Sequence, residues 1–518
     1  MTVLTRMLAI AVVVALTSAV ASFNVASAQA DPRPELKVRL WFSRPGGIFD
    51  PHRWRYTSDW FVYPSLFNWL VRWKPGTGGN VLEPDLAERW TASDDGTVYT
   101  FHLRKGVQFH RDLGEMTAED VVFSFKRQID DPRMSFHSQV QRQIAAVEAM
   151  DRYTVRIRLK EPNAAFISTL VAFRQGFIVS KKAAEQMGAD FAKTPVGTGP
   201  FMLERVATGR EVVVTAHDRY FRGRPAVRRI TYAHIPDEVV AATALIKGEF
   251  HIIWTRANPE AVRLLQQASG VKTERVIVYD SLRHVAISPN FKPTQDVRVR
   301  RALSYAINRQ QIGAALPGLE LPTDIIRPGR LFGGSSNVSR YPYSPAKAKE
   351  LLAQAGYAGG FRVRILLETN TYQEILASVV QANWRDAGID AVLDPLESNA
   401  AFDKRNKLDF DVSINSVGRP ADPDLFFSDF FWSAAKPPGG QNFFGYSAVD
   451  DLILAGRREQ NRAKRQLIYE QINQKLMSDL PALPLTNQIF VSAWRAPVTQ
   501  VINGVNNNFW AETIKVQQ

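Results

Sequence analysis

A chain of 518 residues without one cysteine has to hold itself together by burial alone. A single hydrophobic core rarely grows beyond about 250 to 300 residues, so more than one core is expected. Residues 1–30 stand apart from this problem. Arg6 gives a positive start, Met7 to Val20 carry no charge, and Ala26-Ser27-Ala28 and Ala28-Gln29-Ala30 each offer an A-x-A cleavage pattern. That is the layout of a cleavable secretory signal peptide. A membrane-anchoring helix would need about 18 to 20 largely apolar residues, and here Thr17, Ser18, Ser22 and Asn24 interrupt the run. Removing residues 1–30 leaves 488 residues with no further apolar run of spanning length. An exported chain without cysteine also lacks the acceptor for a lipid anchor, so the expected location is the periplasm, with no lipid attachment.

Formal net charge is +13, and losing Arg6 lowers it by one. Excess positive charge of this kind can serve nucleic acid, an anionic membrane or an acidic ligand. No run of five like charges occurs, so a basic, solvated surface is the simpler reading, and no nucleic-acid partner is expected. Catalytic patterns are also missing. Cysteine nucleophiles are impossible, no G-x-S-x-G follows residue 30, and the eight histidines contain no H-E-x-x-H. No enzyme activity, metal or cofactor is expected. Gly197-Thr198-Gly199-Pro200 lacks the Lys-Ser/Thr of a phosphate loop and reads as a tight turn.

Strand-like and helix-like periods alternate along the chain, which argues a mixed α/β class. After the Asp95-Gly96 turn, Tyr99, Phe101 and Leu103 alternate with polar residues as in a half-buried strand. Thr117 and Asp120 form a capping-box pattern ahead of Val121, Val122, Phe125 and Ile129. Asp296 precedes an apolar stripe through Val299, Leu303, Ile307 and Ile312, with Arg298, Arg300, Arg301 and Arg309 expected on a solvated face. Ser344-Pro345 starts a helix that Gly356 ends. Aromatics gather in presumptive loops at Trp54, Tyr56, Trp60, Phe61 and Tyr63, at Phe426 to Trp432, and at Phe509-Trp510; most are expected in the core and some lining a pocket.

Six ordered segments carry a resemblance: PDLAERWTASDDGTVYTFHLRKGVQFHRD (84–112), MTAEDVVFSFKR (116–127), PVGTGPF (195–201), DVRVRRALSYAINRQQI (296–312), YSPAKAKELLAQAGY (343–357) and WRDAGIDAVL (384–393). Together they resemble the extracytoplasmic solute-binding proteins of ABC importers, in the peptide, nickel and opine group. The resemblance implies an α/β, periplasmic-binding-protein-like clamp with two lobes, a hinge and an extra inserted domain. One lobe would comprise 31–75, 201–283 and 485–518, the inserted domain 76–200 and the second lobe 284–484. Crossing segments at Arg283–Asn290 and Pro481–Ile489 would serve as hinges. The implied role is capture of a short peptide or other small solute, an anionic one included, by a monomer that delivers it to the permease subunits of an inner-membrane importer.

Peptide-binding members carry an acidic residue ahead of a D-P-x-x-F-like segment, where it pairs with the ligand ammonium. Counting back from Asp422-Pro423-Asp424, this chain has Arg419 at that position. A guanidinium there favours a carboxylate or phosphate through paired hydrogen bonds; an ordinary loop charge is the alternative. The ligand-lining set expected on this basis is Arg419, Asp422, Trp432, Asn442, Trp54, Tyr56 and Trp510. A secreted hydrolase with unrecognised acidic catalytic residues and a chaperone-like envelope protein are the competing functions.

Overall fold

A computed structural model describes residues 31–518 apart from 41–44, 54–56, 77–80, 257, 419–421, 438–439, 504–508 and 518. Within it, residues 34–518 form one unit. The frame of that unit is an eleven-stranded mixed sheet. Its strands in chain order are β1 (Glu35–Leu40), β2 (Phe201–Ala207), β3 (Glu211–Ala216), β4 (Arg229–His234), β5 (Ile252–Thr255), β6 (Val271–Ile287), β7 (Glu320–Pro322), β8 (Arg362–Glu368), β9 (Asp390–Leu396), β10 (Val412–Gly418) and β11 (Ala482–Arg495). Their order across the sheet is β9-β8-β10-β6-β11-β5-β1-β4-β3-β2, with β7 added against β11.

Two sets of parallel strands flank a central antiparallel ribbon. β1, β4 and β5 run together on one side, and β8, β9 and β10 on the other. Between them β6 and β11 pair almost along their full lengths. The ribbon changes core part-way along. Val276 and Val278 of β6 and Phe490 and Trp494 of β11 pack with a hydrophobic cluster built on β1, β4 and the four-stranded sheet of residues 87–159, whereas Leu282, Val285, Leu483 and Leu485 belong to a second cluster with Val363, Val412, Leu303 and Trp384. The expectation of more than one core is met by these two clusters.

Local features follow from local chemistry. Strand Val98–Leu103 buries Tyr99, Phe101 and Leu103 and leaves the intervening residues half-exposed. The capping box at Thr117 opens helix Ala118–Asp130, where the Asp120 carboxylate accepts from the Thr117 N–H at 2.9 Å. Ser344 caps helix Pro345–Gln354. The glycines at 197 and 199 answer to close approach, since a Cβ at either would fall within 2.5 Å of the Leu66 backbone.

Two expectations are corrected. The stripe beginning at Asp296 is not one helix but two, Val297–Tyr305 and Arg309–Ala315, because the Asn308 side chain caps the second by accepting from the Gln311 N–H. Arg309 is consequently buried rather than solvated; it donates to the Pro484 carbonyl at 2.8 Å and to Ser304 Oγ at 2.9 Å, tying its helix to β11. The second correction concerns Phe426, Phe427, Phe430 and Phe431, which lie on a helix, Pro423–Phe431, and are all buried in the second core. At about 100° per residue these four positions span only about 140° of the helix surface, one broad apolar face turned to the core.

Candidate functional site

The parallel strands of both sets end facing the middle of the ribbon. β5 ends at Thr255, opposite Val491 of β11; β10, running the other way, ends at Gly418, opposite Ser281 of β6. Ser281 lies where β6 carries three residues, Tyr279–Ser281, with no counterpart on β11, between the pairs Val278–Gln488 and Leu282–Asn487. The two strand ends are therefore offset by three or four residues of β11, on the order of 10 Å at about 3.3 Å per residue. A crevice at the carboxyl ends of parallel strands is where open α/β sheets bind ligands.

The ribbon is polar at this level. Thr486, Asn487 and Gln488 are buried in the middle of a strand that is otherwise largely apolar. The Asn487 Nδ2 donates to the carbonyls of Tyr279 and Ser281, both at 3.2 Å, and so closes the bulge. Next to it a charged group is assembled from four elements. Glu320 of β7 is fully buried and accepts hydrogen bonds from the Tyr372 hydroxyl and from Thr486 Oγ1. Arg283 of β6 donates its Nε to the Tyr372 oxygen at 3.0 Å and stands 3.7 Å from Glu320. Burial raises the Glu320 carboxyl, against the opposing pull of Arg283.

Arginines also gather at the end of β5. Arg39 is buried, its guanidinium donating to three carbonyls, those of Ile235, Trp254 and Pro236. Arg256, directly after β5, is half-buried and pushed down to about 10, first by burial and then by the charge of Arg283, with Arg39 adding to it. The Glu238 carboxylate, which accepts from the Arg256 N–H at 3.3 Å, works against that shift.

A cavity of about 490 Å³ lies nearby, within the size range of small-molecule sites. Trp73, Tyr99, Ser168, Phe332, Asp422 and Arg465 are among its lining. The segment 330–332 joins it to the bulge, because Arg330 donates to the Tyr279 hydroxyl at 2.8 Å while Phe332 lines the cavity.

The expected ligand residues are distributed unevenly over this arrangement. Trp54, Tyr56 and Arg419 lie outside the described residues. Asp422 lines the cavity but is deeply committed: it caps helix Pro423–Phe431, takes two hydrogen bonds from Arg465 at 2.8 and 3.1 Å, and accepts from Ser168 Oγ at 2.7 Å. Burial pushes its carboxyl up, and the Arg465 guanidinium outweighs this and holds it below the usual range. Trp432 ends the same helix, half-buried, with the Arg457 guanidinium 5.1 Å from its ring centroid. Asn442 is buried and donates to the carbonyls of Trp432 and Tyr446. Trp510 is buried in the first core, beside Trp69 and under Arg72. Trp432 and Asn442 are thus in contact, Asp422 stands at the opposite end of the helix, and Trp510 belongs to a different core. Sequence reasoning missed Arg256, Arg283, Glu320, Tyr372 and Arg465. The available signal was a charged or polar residue inside an apolar strand, as in VIVYDSLRHVAI for Arg283 and PLTNQIF for the ribbon.

Comparison with known proteins settles the class. The profile of bacterial extracellular solute-binding proteins, family 5 Middle, matches residues 81–438. The chain belongs to that family. The dipeptide-binding protein of Escherichia coli (strain K12) is 30% identical over 448 residues, covering 81% of this chain and 83% of that protein. Among solved structures, the periplasmic binding protein DppA from Helicobacter pylori in complex with the peptide STSA is 26% identical, with a TM-score of 0.79, covering 94% of this chain and 99% of that one. The binding protein MoaA in complex with mannopinic acid, from A.tumefacien R10, is 28% identical with a TM-score of 0.78, covering 94% and 100%. The fold is accordingly the α/β, periplasmic-binding-protein-like one, and the function is solute capture for an ABC importer rather than hydrolysis or chaperoning.

Proposed function

We propose that the chain captures a short peptide or other small solute, bearing an anionic group, in the crevice where β5 and β10 end on the β6–β11 ribbon, and hands it to the permease subunits of its importer. The observation that carries this reading is that opposed strand ends, a bulged crossing ribbon and a polar, arginine-rich lining coincide at one place. Two cores joined by a ribbon support a division into a lobe of 31–75, 201–283 and 485–518, an inserted domain of 76–200 and a second lobe of 284–484, with Arg283–Asn290 and Pro481–Ile489 as the crossing segments that bend. Arg419 follows the last residue of β10 in the sequence and heads the proposed ligand-binding set, where an arginine would select a carboxylate over the ammonium of a peptide; Asp422, Trp432, Asn442, Trp54, Tyr56 and Trp510 complete that set. The ligands of the two solved relatives, a peptide and mannopinic acid, both carry carboxylates by their constitution. The protein works as a periplasmic monomer released after Ala30.

A solute that binds only the folded chain stabilises it by about 2.7 kcal/mol at a hundredfold excess over Kd. A thermal-shift panel of free amino acids, di- and tripeptides, sugar acids and opines is therefore expected to raise the melting temperature in at least one class. A blank across all of them overturns the reading.

A further inference from the structure

Arg283 differs from three other deeply placed arginines, Arg39, Arg309 and Arg465, in how its guanidinium is used. Arg39 spends its nitrogens on three carbonyls, Arg309 on Ser304, Pro484 and neighbouring carbonyls, and Arg465 on the Asp422 carboxylate, the Gly456 carbonyl and Tyr469. In Arg283 only Nε is committed, to the Tyr372 hydroxyl. Neither terminal nitrogen has a hydrogen-bonding partner among the described residues, and the side chain keeps 12% of its surface open. A guanidinium held from behind at Nε presents its remaining pair of donors forward in a fixed plane, which is the geometry that receives a carboxylate through two parallel hydrogen bonds.

Its surroundings fix that orientation. Tyr372 and Thr486 both donate to Glu320, so the carboxylate behind Arg283 is itself pinned. Tyr372 stacks beneath the guanidinium, 5.0 Å from its carbon to the ring centroid. The position is central as well: Arg283 pairs in register with Ser416 near the end of β10 and with Thr486 of β11, two residues beyond the bulge. The charge of Arg283 reaches Arg256 at the end of β5, on the other side of the ribbon. Glu238 answers the charge of Arg256, while burial works against the ionised form of Glu320, the carboxylate beside Arg283.

We propose that Arg283 is the carboxylate anchor of the bound solute, with Arg256 supplying a second positive charge across the crevice and with Tyr372 and Glu320 as positioning residues that hold the guanidinium fork in place. The inference rests on the capture reading above and specifies the chemistry of that site: the solute is selected by a carboxylate that enters the crevice first, at the ribbon, and the rest of the molecule extends toward the 490 Å³ cavity.

The test uses the full mature chain and matched probes that differ only in charge: a pool of free-acid dipeptides against the same pool as C-terminal amides, and gluconate against glucitol, each by calorimetry. For whichever class binds, the free acid is expected to bind at least about thirtyfold more tightly than its neutral counterpart, the range in which a desolvated ion pair operates. In Arg283→Gln/Glu320→Gln, which removes both members of the ion pair together, that preference is expected to fall to within about threefold. Arg283→Lys keeps the charge without the fork and is expected to lose part of the preference; Tyr372→Phe, which frees Nε, is expected to do the same. Neutral probes binding as well as acids, or an undiminished preference in a double variant of unaltered melting temperature, overturns the anchor and leaves the receptor reading standing. No binding by any probe, together with a blank thermal-shift panel, overturns the receptor reading and the anchor with it. Should the double variant fail to fold, the same comparison in Arg283→Lys decides, an unchanged preference there counting against the anchor.

Discussion

At the residue scale, Asp422 shows how one carboxylate can serve the frame and line a cavity at once. Its charge is matched by Arg465, also buried, and by Ser168, which lies 254 residues away in the chain. Removing one member of a buried pair leaves the other uncompensated and typically costs about 3 to 5 kcal/mol, whereas replacing both by apolar groups can be nearly neutral. Asp422→Ala is therefore expected to lower the urea midpoint strongly, and Asp422→Ala/Arg465→Met to recover most of the loss. A single variant as stable as wild type would show that the pair does not carry the frame here. Asp-Pro-Asp as a helix start is visible in the sequence, because a capping residue ahead of proline is a local pattern. Arg465 as its partner is not, because an interaction across 43 residues leaves no local trace. The same holds for Arg283 and Tyr372, 89 residues apart. The sequence marks Arg283 only as a charge out of place among apolar neighbours.

At the element scale, the β6–β11 ribbon carries the argument, and its control point is the bulge at Tyr279–Ser281. Asn487 bridges two of the bulge carbonyls with one amide. Asn487→Ala would leave both carbonyls short of a donor in a buried setting, at a cost of about 1 to 3 kcal/mol. The expected outcome is a lower urea midpoint and faster amide exchange confined to residues near 279–282 and 486–488. Unaltered exchange there would place the rigidity of the crossing elsewhere. Ordinary half-buried elements were legible: strand Val98–Leu103 shows its alternation and helix Ala118–Asp130 its capping box, because one face of each meets solvent. β11 has no such signature, since thirteen of its fourteen residues are buried and a strand covered on both faces reads as a continuous apolar run. The break at Asn308 was missed for a related reason. The apolar stripe continues across it, and only the cap shows that the helix restarts.

At the scale of the whole molecule, four buried histidines link stability to pH. Burial pushes His52 and His110 down to about 3 and His284 to about 4, and lowers His217 as well. Because the folded values lie below that of a free histidine, near 6.5, the unfolded chain takes up protons first as the pH falls. The stabilisation is fully present above about pH 6.5 and is lost progressively between there and pH 3 to 4, at up to about 1.4 kcal/mol per pH unit for each group. Melting temperatures measured at pH 7.5, 6 and 5 are expected to fall steeply over the last step; a flat profile would mean that these sites are protonated or hydrated in the native chain. The fold class and the family were legible because ordered segments span most of the chain, while the division between the two cores depends on long-range pairing that no segment records. The central claim is that the chain holds one carboxylate-bearing small solute at the ribbon. Native mass spectrometry of the protein released from the periplasm by osmotic shock tests it most directly. The account predicts a population heavier by one small molecule per chain, lost after unfolding and dialysis, with the released compound carrying a carboxylate. Release of an uncharged or purely cationic compound would contradict it.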